Sequence, residues 1–263
     1  MSIDQVLQRI DDHREDAIEG LLEYLRIPSV STDPAYADDV RRCAELVRSR
    51  LEGAGVEAKL IETAGHPLVW GERIEDPELP TVLFYGHYDV QPPEPLEEWR
   101  NPPFEPTLEP GPLPGGRIVA RGATDDKGQS FAHILAVEHM LAVDGSLPVN
   151  VKFLIEGEEE SGGEAIEHFV RDSANLESLG CDCVVVSDSS MYAPGQPSIL
   201  YGLKGLLYCE IRLHGPDRDL HSGSCLPGLN REPGFGSFYS GWRKLRLLCH
   251  RFVVCDSRHF WLF

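Results

Sequence analysis

Three short β-rich runs, TVLFYGH, VNVKFLIE and CVVVSD, each end in acidic or imidazole side chains, with helical stretches between them. GQSFAHILAVEHMLA and the stretch from Gly163 to about Arg171 carry helical spacing, whereas the three runs carry the β-branched and aromatic residues of strands. Strands that alternate with helices are joined by crossovers and pair in a mostly parallel sheet covered on both faces. The predicted class is therefore α/β, a mostly parallel mixed sheet flanked by helices. Ile3, Val6, Leu7, Ile10, Ile18, Leu21, Leu22 and Leu25 recur at helical steps and predict one amphipathic helix that ends near Pro28. Val40, Cys43, Leu46, Val47 and Leu51 predict a second helix, with Gly53 and Gly55 at its C-terminal cap before the strand VEAKLIE. The Pro/Gly-rich segment 91–116 is long for a plain connection, which marks it as functional or mobile.

Composition narrows what such a fold can do. With 263 residues and 41% hydrophobic side chains the chain can build a real core. Its formal net charge of −19 repels nucleic acid and anionic membrane surfaces, so neither is an expected partner. There is no apolar signal core at the N-terminus and no run long enough to span a bilayer, so the expected location is cytoplasmic. Seven cysteines are an odd count, and Cys181 and Cys183 are too close for a zinc-ribbon pair, which predicts reduced, mostly buried thiols.

The acids gather where the strands end. In GHYDV, period-two alternation sends His87 and Asp89 to one side of the strand. ARGATDDKGQ places Asp125 and Asp126 in a turn leading into a helix, EGEEESGG follows a second strand, and Asp188 follows a third. Each of these alone is a solvated turn or a cap. Together they bring one imidazole and several carboxylates to the carboxyl ends of successive strands, where open α/β sheets bind ligands. Such a set suits two divalent cations about 3.5–4 Å apart, with the imidazole favouring zinc or its neighbours over calcium. A carboxylate left free of metal can then take the proton of an attacking water and pass it to a leaving amine.

GHYDVQP, GRIVARGATDDKGQ, IEGEEESGG, VVVSDSSMY, YGLKG and DLHSGS stand in an order and spacing that resembles the metallopeptidase-20 family of carnosinases, other dipeptidases, glutamate carboxypeptidases and aminoacylases. The resemblance runs from the first helix to Ser224. It implies that His87, Asp125 and Asp188 ligate one zinc and that Asp125 bridges to a second held by Glu160, with manganese or cobalt as alternatives. It implies Glu159 as the general base, Asp89 as the acid that holds the ligating imidazole, and Asp126 as the second member of a cis Asp-Asp peptide. It also implies His221, in the HSG motif, as a lid-domain histidine that binds substrate and the oxyanion, and a homodimer formed through that lid. The run Glu158, Glu159, Glu160 allows two choices of adjacent pair. The family places a small residue and glycine directly after the ligand, so Ser161-Gly162 selects Glu160 as ligand and Glu159 as base. Glu156 and Glu158 are then strand-end acids facing solvent or a helix N-terminus, and His66, His133, His139 and His168 are assigned no role.

After Ser224 the resemblance stops. The remaining residues hold six Lys/Arg against two Asp/Glu, three of the seven cysteines and no sustained period. The expected organisation is a catalytic metal-binding domain at 1–204, the start of a lid domain at 205–224, and an aberrant, poorly ordered tail at 225–263. The strand GLLYCEIRLHG is expected to lose its sheet partners, and the second metal to lack a third protein ligand and bind weakly. Three functions are consistent with these residues: hydrolysis of the amide bond of dipeptides or small N-acyl amino acids, an incompetent fragment that keeps one metal site, and a non-catalytic metal- or peptide-binding protein.

Overall fold

A computed structural model of the chain describes residues 2–113, 115–200 and 202, and backbone strands at 205–212, 246–254 and 260–262. The single N-terminal helix expected from the apolar spacing is two, α1 (Ile3–Asp12) and α2 (Arg14–Leu25), because His13 leaves the helical basin at φ −109 and ψ 20. Both helices pack on the same later helix, so the apolar period runs through the break. Helix α3 (Ala37–Gly53) follows, and Gly55 adopts a left-handed φ of 88 just beyond it, as a helix stop requires.

The chain then alternates. Strands β1 (Glu57–Ile61), β2 (Leu68–Arg73) and β3 (Thr81–His87) precede a small hairpin of β4 (Thr107–Glu109) and β5 (Arg117–Val119). Helix α4 (Lys127–Asp144), strand β6 (Asn150–Glu156), helices α5 (Glu164–Arg171) and α6 (Leu176–Leu179), and strand β7 (Cys183–Val186) complete the first unit. The five-stranded sheet has the order β1-β2-β6-β3-β7. Strand β3 lies parallel to both β6 and β7, whereas β2 is antiparallel to β1 and β6. The sheet is mixed, as expected, and its parallel part is the part that ends in acids. Strand β2 was not predicted: a glycine and two charged residues in LVWGER blur its alternation.

Period-two alternation buries this sheet on both faces. Val151, Phe153 and Ile155 of β6 join Tyr24, Val47, Leu51, Phe131 and Ile134 under the helices α2, α3 and α4. Leu154 points the other way, into Leu68, Trp70, Leu83 and Ala165 beneath α5. Every residue of β6 is buried, which makes it the central strand, and Phe153→Ala would cost about 3–5 kcal/mol through the cavity it leaves. Lys152 is also buried; its ammonium donates to the carbonyl oxygens of Ser178 at 2.6 Å and Gly180 at 2.7 Å, fixing the approach to β7. The segment 91–116 is partly built: Trp99 donates to the Pro93 carbonyl at 2.7 Å, and the Arg121 guanidinium lies over its ring at 5.5 Å.

The chain divides into two compact units, Met1–Pro197 and Ser198–Phe263. In the second, β8 (Gly205–Arg212), β9 (Arg246–Val254) and β10 (Phe260–Leu262) form an antiparallel sheet of order β10-β9-β8. The expectation that the strand opening at Gly205 has no partner is thus corrected, since β8 pairs with β9 across seven register positions. The partner comes from the stretch in which no period was read. Among the described residues no helix is long and apolar enough to cross a membrane.

Candidate metal centre

Strand β3 carries His87 to the carboxyl edge of the sheet, and both His87 and Asp89 are fully buried there. The imidazole Nδ1 lies 3.0 Å from the Asp89 carbonyl oxygen and 3.3 Å from its Oδ1; alignment favours the carbonyl, which leaves Oδ1 without a hydrogen bond. Asp89 Oδ2 accepts from the Ser31 hydroxyl at 2.6 Å and from the Glu160 backbone N–H at 3.1 Å. One carboxylate therefore ties the β3 end to the acidic run after β6. The other ring nitrogen, Nε2, faces Asp125 Oδ1 at 3.1 Å and Asp188 Oδ2 at 3.6 Å.

The turn before α4 supplies the next pair. The peptide between Asp125 and Asp126 is cis, as the resemblance implied. Asp126 is buried and its Oδ2 accepts from the His87 backbone N–H at 3.2 Å. Residue 86 is glycine because a Cβ there would come within 2.6 Å of that same oxygen. Lys127, fully buried in the first turn of α4, donates to the carbonyl oxygens of Tyr24 at 3.2 Å and Ile27 at 2.8 Å. Its cation thus joins the C-terminal end of α2 to the start of α4, where helix carbonyls favour positive charge, and fixes the Asp125–Asp126 turn from behind.

The glutamates after β6 separate by what they touch. Glu158 accepts from the backbone N–H groups of His66 at 2.9 Å and Ala165 at 3.1 Å, so its carboxylate is engaged at the N-terminus of α5. A Cβ on residue 65 would fall 1.7 Å from its Oε1, which is why glycine stands there. Glu159 and Glu160 follow in a short 3₁₀ turn and face His87, and Gln91 donates to Glu160 Oε2 at 2.6 Å. Of the two acids expected to face solvent or a helix N-terminus, Glu158 thus meets the second, whereas Glu156 does not face solvent: it is buried, accepts from the Tyr85 hydroxyl at 2.6 Å, and leaves its Oε2 without a hydrogen bond. Sequence reasoning also passed over Ser31, Gln91 and Lys127. Only the location of Gln91 and Lys127 beside GHYDV and the Asp-Asp pair could have drawn attention to them. His221 lies outside the described residues.

One donor atom each from His87, Asp125 and Asp188 lie within 4.8 Å of one another, and so do those from His87, Glu159 and Glu160. Among the described residues no third donor completes such a group with both Asp125 and Glu160. The electrostatics are those of a site built around positive charge. Burial alone would lower the His87 pKa, but Asp89 above all, with Asp126 and Glu159 beyond, raises it to about 10. Burial pushes Asp126 and Glu156 up to about 7, and raises Glu159 and Glu160 as well. Among the described residues no Lys or Arg forms an ion pair with Asp125, Asp188, Glu159 or Glu160. The buried oxygens Asp89 Oδ1, Asp126 Oδ1 and Glu156 Oε2 lack hydrogen bonds. One imidazole, many carboxylate oxygens and this uncompensated charge fit a divalent cation of the zinc or manganese type.

The sequence profile of Peptidase family M20/M25/M40 matches residues 83–229, which include every residue of this cluster. The Cys-Gly metallodipeptidase of Schizosaccharomyces pombe is 34% identical over 85% of this chain and 48% of its own length. The human Beta-Ala-His dipeptidase is 33% identical over 88% of this chain and 47% of its own. Among solved structures, an M20 family metallo-carboxypeptidase from Sulfolobus solfataricus superposes with a TM-score of 0.66 at 39% identity, covering 78% of this chain and 45% of that one. The chain spans about half the length of the relatives it matches. With its parallel strands ending in the same His and acid cluster that the profile spans, this chain belongs to Peptidase family M20/M25/M40.

Proposed function

We propose that the chain binds divalent metal at the carboxyl ends of β3, β6 and β7 and hydrolyses the peptide bond of dipeptides. The observation that carries this is His87, whose Nε2 faces Asp125 and Asp188 and whose ring also groups with Glu159 and Glu160, with no Lys or Arg paired to these acids among the described residues. His87, Asp125 and Asp188 would hold one ion, and Asp125 with Glu160 a second, weaker one; zinc suits the donors best, and manganese or cobalt are alternatives. Such ions supply Lewis acidity, which polarises a scissile carbonyl and acidifies water. The protein's own groups do the rest. Asp89 orients the imidazole of His87 and holds the Glu160 backbone. Glu159, whose pKa burial raises above the ordinary carboxylate value, takes the proton of the attacking water and delivers it to the leaving amine. Glu158 cannot share that work while its carboxylate accepts two backbone N–H groups, which supports Glu159 and Glu160 as the working pair. His221 would contact the substrate, as the family motif implies.

The relatives' names point to Cys-Gly and β-Ala-His as the first substrates to try. The full chain, supplied with zinc or manganese, is expected to release free amino acids from one of them and to stop when a chelator is added. Glu159→Gln should lower turnover by about 10²–10⁴-fold with metal content retained. Loss of turnover in Glu158→Gln with metal intact would show the register to be wrong by one. One observation favours a second reading, a protein that keeps the His87 metal site without turnover: among the described residues no third donor groups with Asp125 and Glu160. Zinc binding without release of amino acids from any dipeptide would select it.

A further inference from the structure

Asp188 has the least support of the cluster's acids. Among the described residues, strand β7, which leads to it, is the edge of the sheet and pairs with β3 alone, over four register positions ending at Tyr85 and Val186. Its outward residues Val184 and Val186 are more than half exposed. Beyond that ladder, among the described residues, a single side-chain hydrogen bond joins the segment after β7 to another element: His133 Nε2 on α4 lies 2.6 Å from the Ser187 hydroxyl. Ser187 is the residue directly before Asp188.

The imidazole that makes this bond is itself held in place. His133 stacks on Phe84 of β3 with ring centroids 4.7 Å apart, and Phe84 stacks on Phe153 of β6 at 5.0 Å. Phe84 is the register partner of both Phe153 and Val185, so the column of rings crosses the sheet along one row and delivers His133 to the end of β7. A plain packing histidine at this position would leave its polar edge to water. This one spends it on the hydroxyl beside a proposed ligand.

We propose that His133 is a positioning residue for the metal site, holding Ser187 so that the Asp188 carboxylate meets His87 and Asp125. The claim rests on the metal-binding reading above. Packing sets the ring, the ring sets the serine, and the serine sets the turn that aims the carboxylate. Outer partners of this kind are worth about 10–100-fold in metal affinity, and a contact one residue removed from the ligand belongs at the low end.

Calorimetric titration of the full chain with zinc tests this, using wild type, His133→Leu, His133→Gln, Ser187→Ala and the double variant His133→Leu with Ser187→Ala. Each of the Leu and Ala single variants should weaken zinc binding by about tenfold, and the double variant should be no weaker than either. His133→Gln, whose amide nitrogen has similar reach, should recover most of the affinity. Ser187→Ala alters a surface turn, so its metal-free melting temperature should match wild type, and it carries the test if His133→Leu folds poorly. Unchanged affinity in Ser187→Ala, losses that multiply in the double variant, or no recovery with Gln would overturn the proposal. Asp188→Ala serves as the reference. If it binds zinc as tightly as wild type, or if wild type binds none, the metal-site reading fails and takes this inference with it.

Discussion

His87, Asp89 and Asp126 are 0, 0 and 1% exposed, and each is tied to backbone or a hydroxyl, whereas the side chains of Asp125 and Asp188 are 56 and 30% exposed and, among the described residues, have His87 as their one ion-pair partner. The first set is a floor laid down by the ends of β3 and α4. The second is a rim supplied by turns. Burial gives the floor its electrostatic force, because the same low-polarity surroundings that raise Asp126 also strengthen the pull of Asp89 on His87. The rim has the freedom to close on an ion. A change in the floor should therefore damage both stability and metal binding, and a change in the rim metal binding alone.

The largest effect is expected at the shared floor residue. His87→Ala removes the one imidazole common to both donor groups and should weaken zinc binding by more than about 100-fold, since even an outer partner is worth about 10–100-fold. Calorimetry would show it, and a loss under tenfold would dissolve the distinction between floor and rim. Next comes Lys127→Met, which takes a charged donor from the Tyr24 and Ile27 carbonyls behind the floor. It should cost about 2–3 kcal/mol in denaturant unfolding of the metal-free protein, whereas Asp188→Asn on the rim should cost little.

The pH dependence follows from the floor as well. His87, Asp126 and Glu156 are raised to about 10, 7 and 7 from ordinary values of 6.5, 3.8 and 4.5. A raised folded pKa contributes stability that is complete below the unfolded value and is lost as pH climbs through the folded one. The metal-free protein should thus lose stability from these groups as pH rises, Asp126 and Glu156 up to about pH 7 and His87 from about 6.5 to 10. Zinc must displace the His87 proton, so its affinity should strengthen by roughly tenfold per pH unit between neutrality and about pH 9. Flat affinity across that range, with no proton release detected in buffers of different ionisation enthalpy, would contradict displacement of a proton from a raised His87. The smallest effect belongs to Gln91→Ala, which frees Glu160 Oε2 of an exposed hydrogen bond worth about 0.5–1.5 kcal/mol and should change cation affinity only severalfold.

The sequence made this acidic edge legible because its signals are local: His87 ends β3 with Asp89 two residues beyond it, and the acids of TDDKG, EGEEE and VSDSS each sit beside a recognisable run. The parallel strands β3, β6 and β7 were read for the same reason. What escaped depends on partners distant in sequence. Strand β2 owes its place to antiparallel pairing with β1 and β6 rather than to its own pattern. The burial of Glu156, read as facing solvent or a helix N-terminus, depends on Tyr85, 71 residues earlier, which donates to it. Glu158 meets the helix N-terminus expected for it at Ala165, but its second donor, His66, lies 92 residues away, and His133 finds its serine 54 residues on. No spacing rule connects such pairs; only the packed sheet does.

The central claim is that one imidazole and several carboxylates, and not the chain's thiols, hold the metal. Zinc K-edge absorption spectroscopy of the zinc-loaded full chain measures this directly. One imidazole nitrogen is expected at about 2.0–2.1 Å, with carboxylate or water oxygens at about 2.0–2.2 Å and no sulfur shell, and the nitrogen signal should be lost in His87→Ala. A sulfur shell at about 2.3 Å, or an unchanged spectrum in His87→Ala, would contradict it.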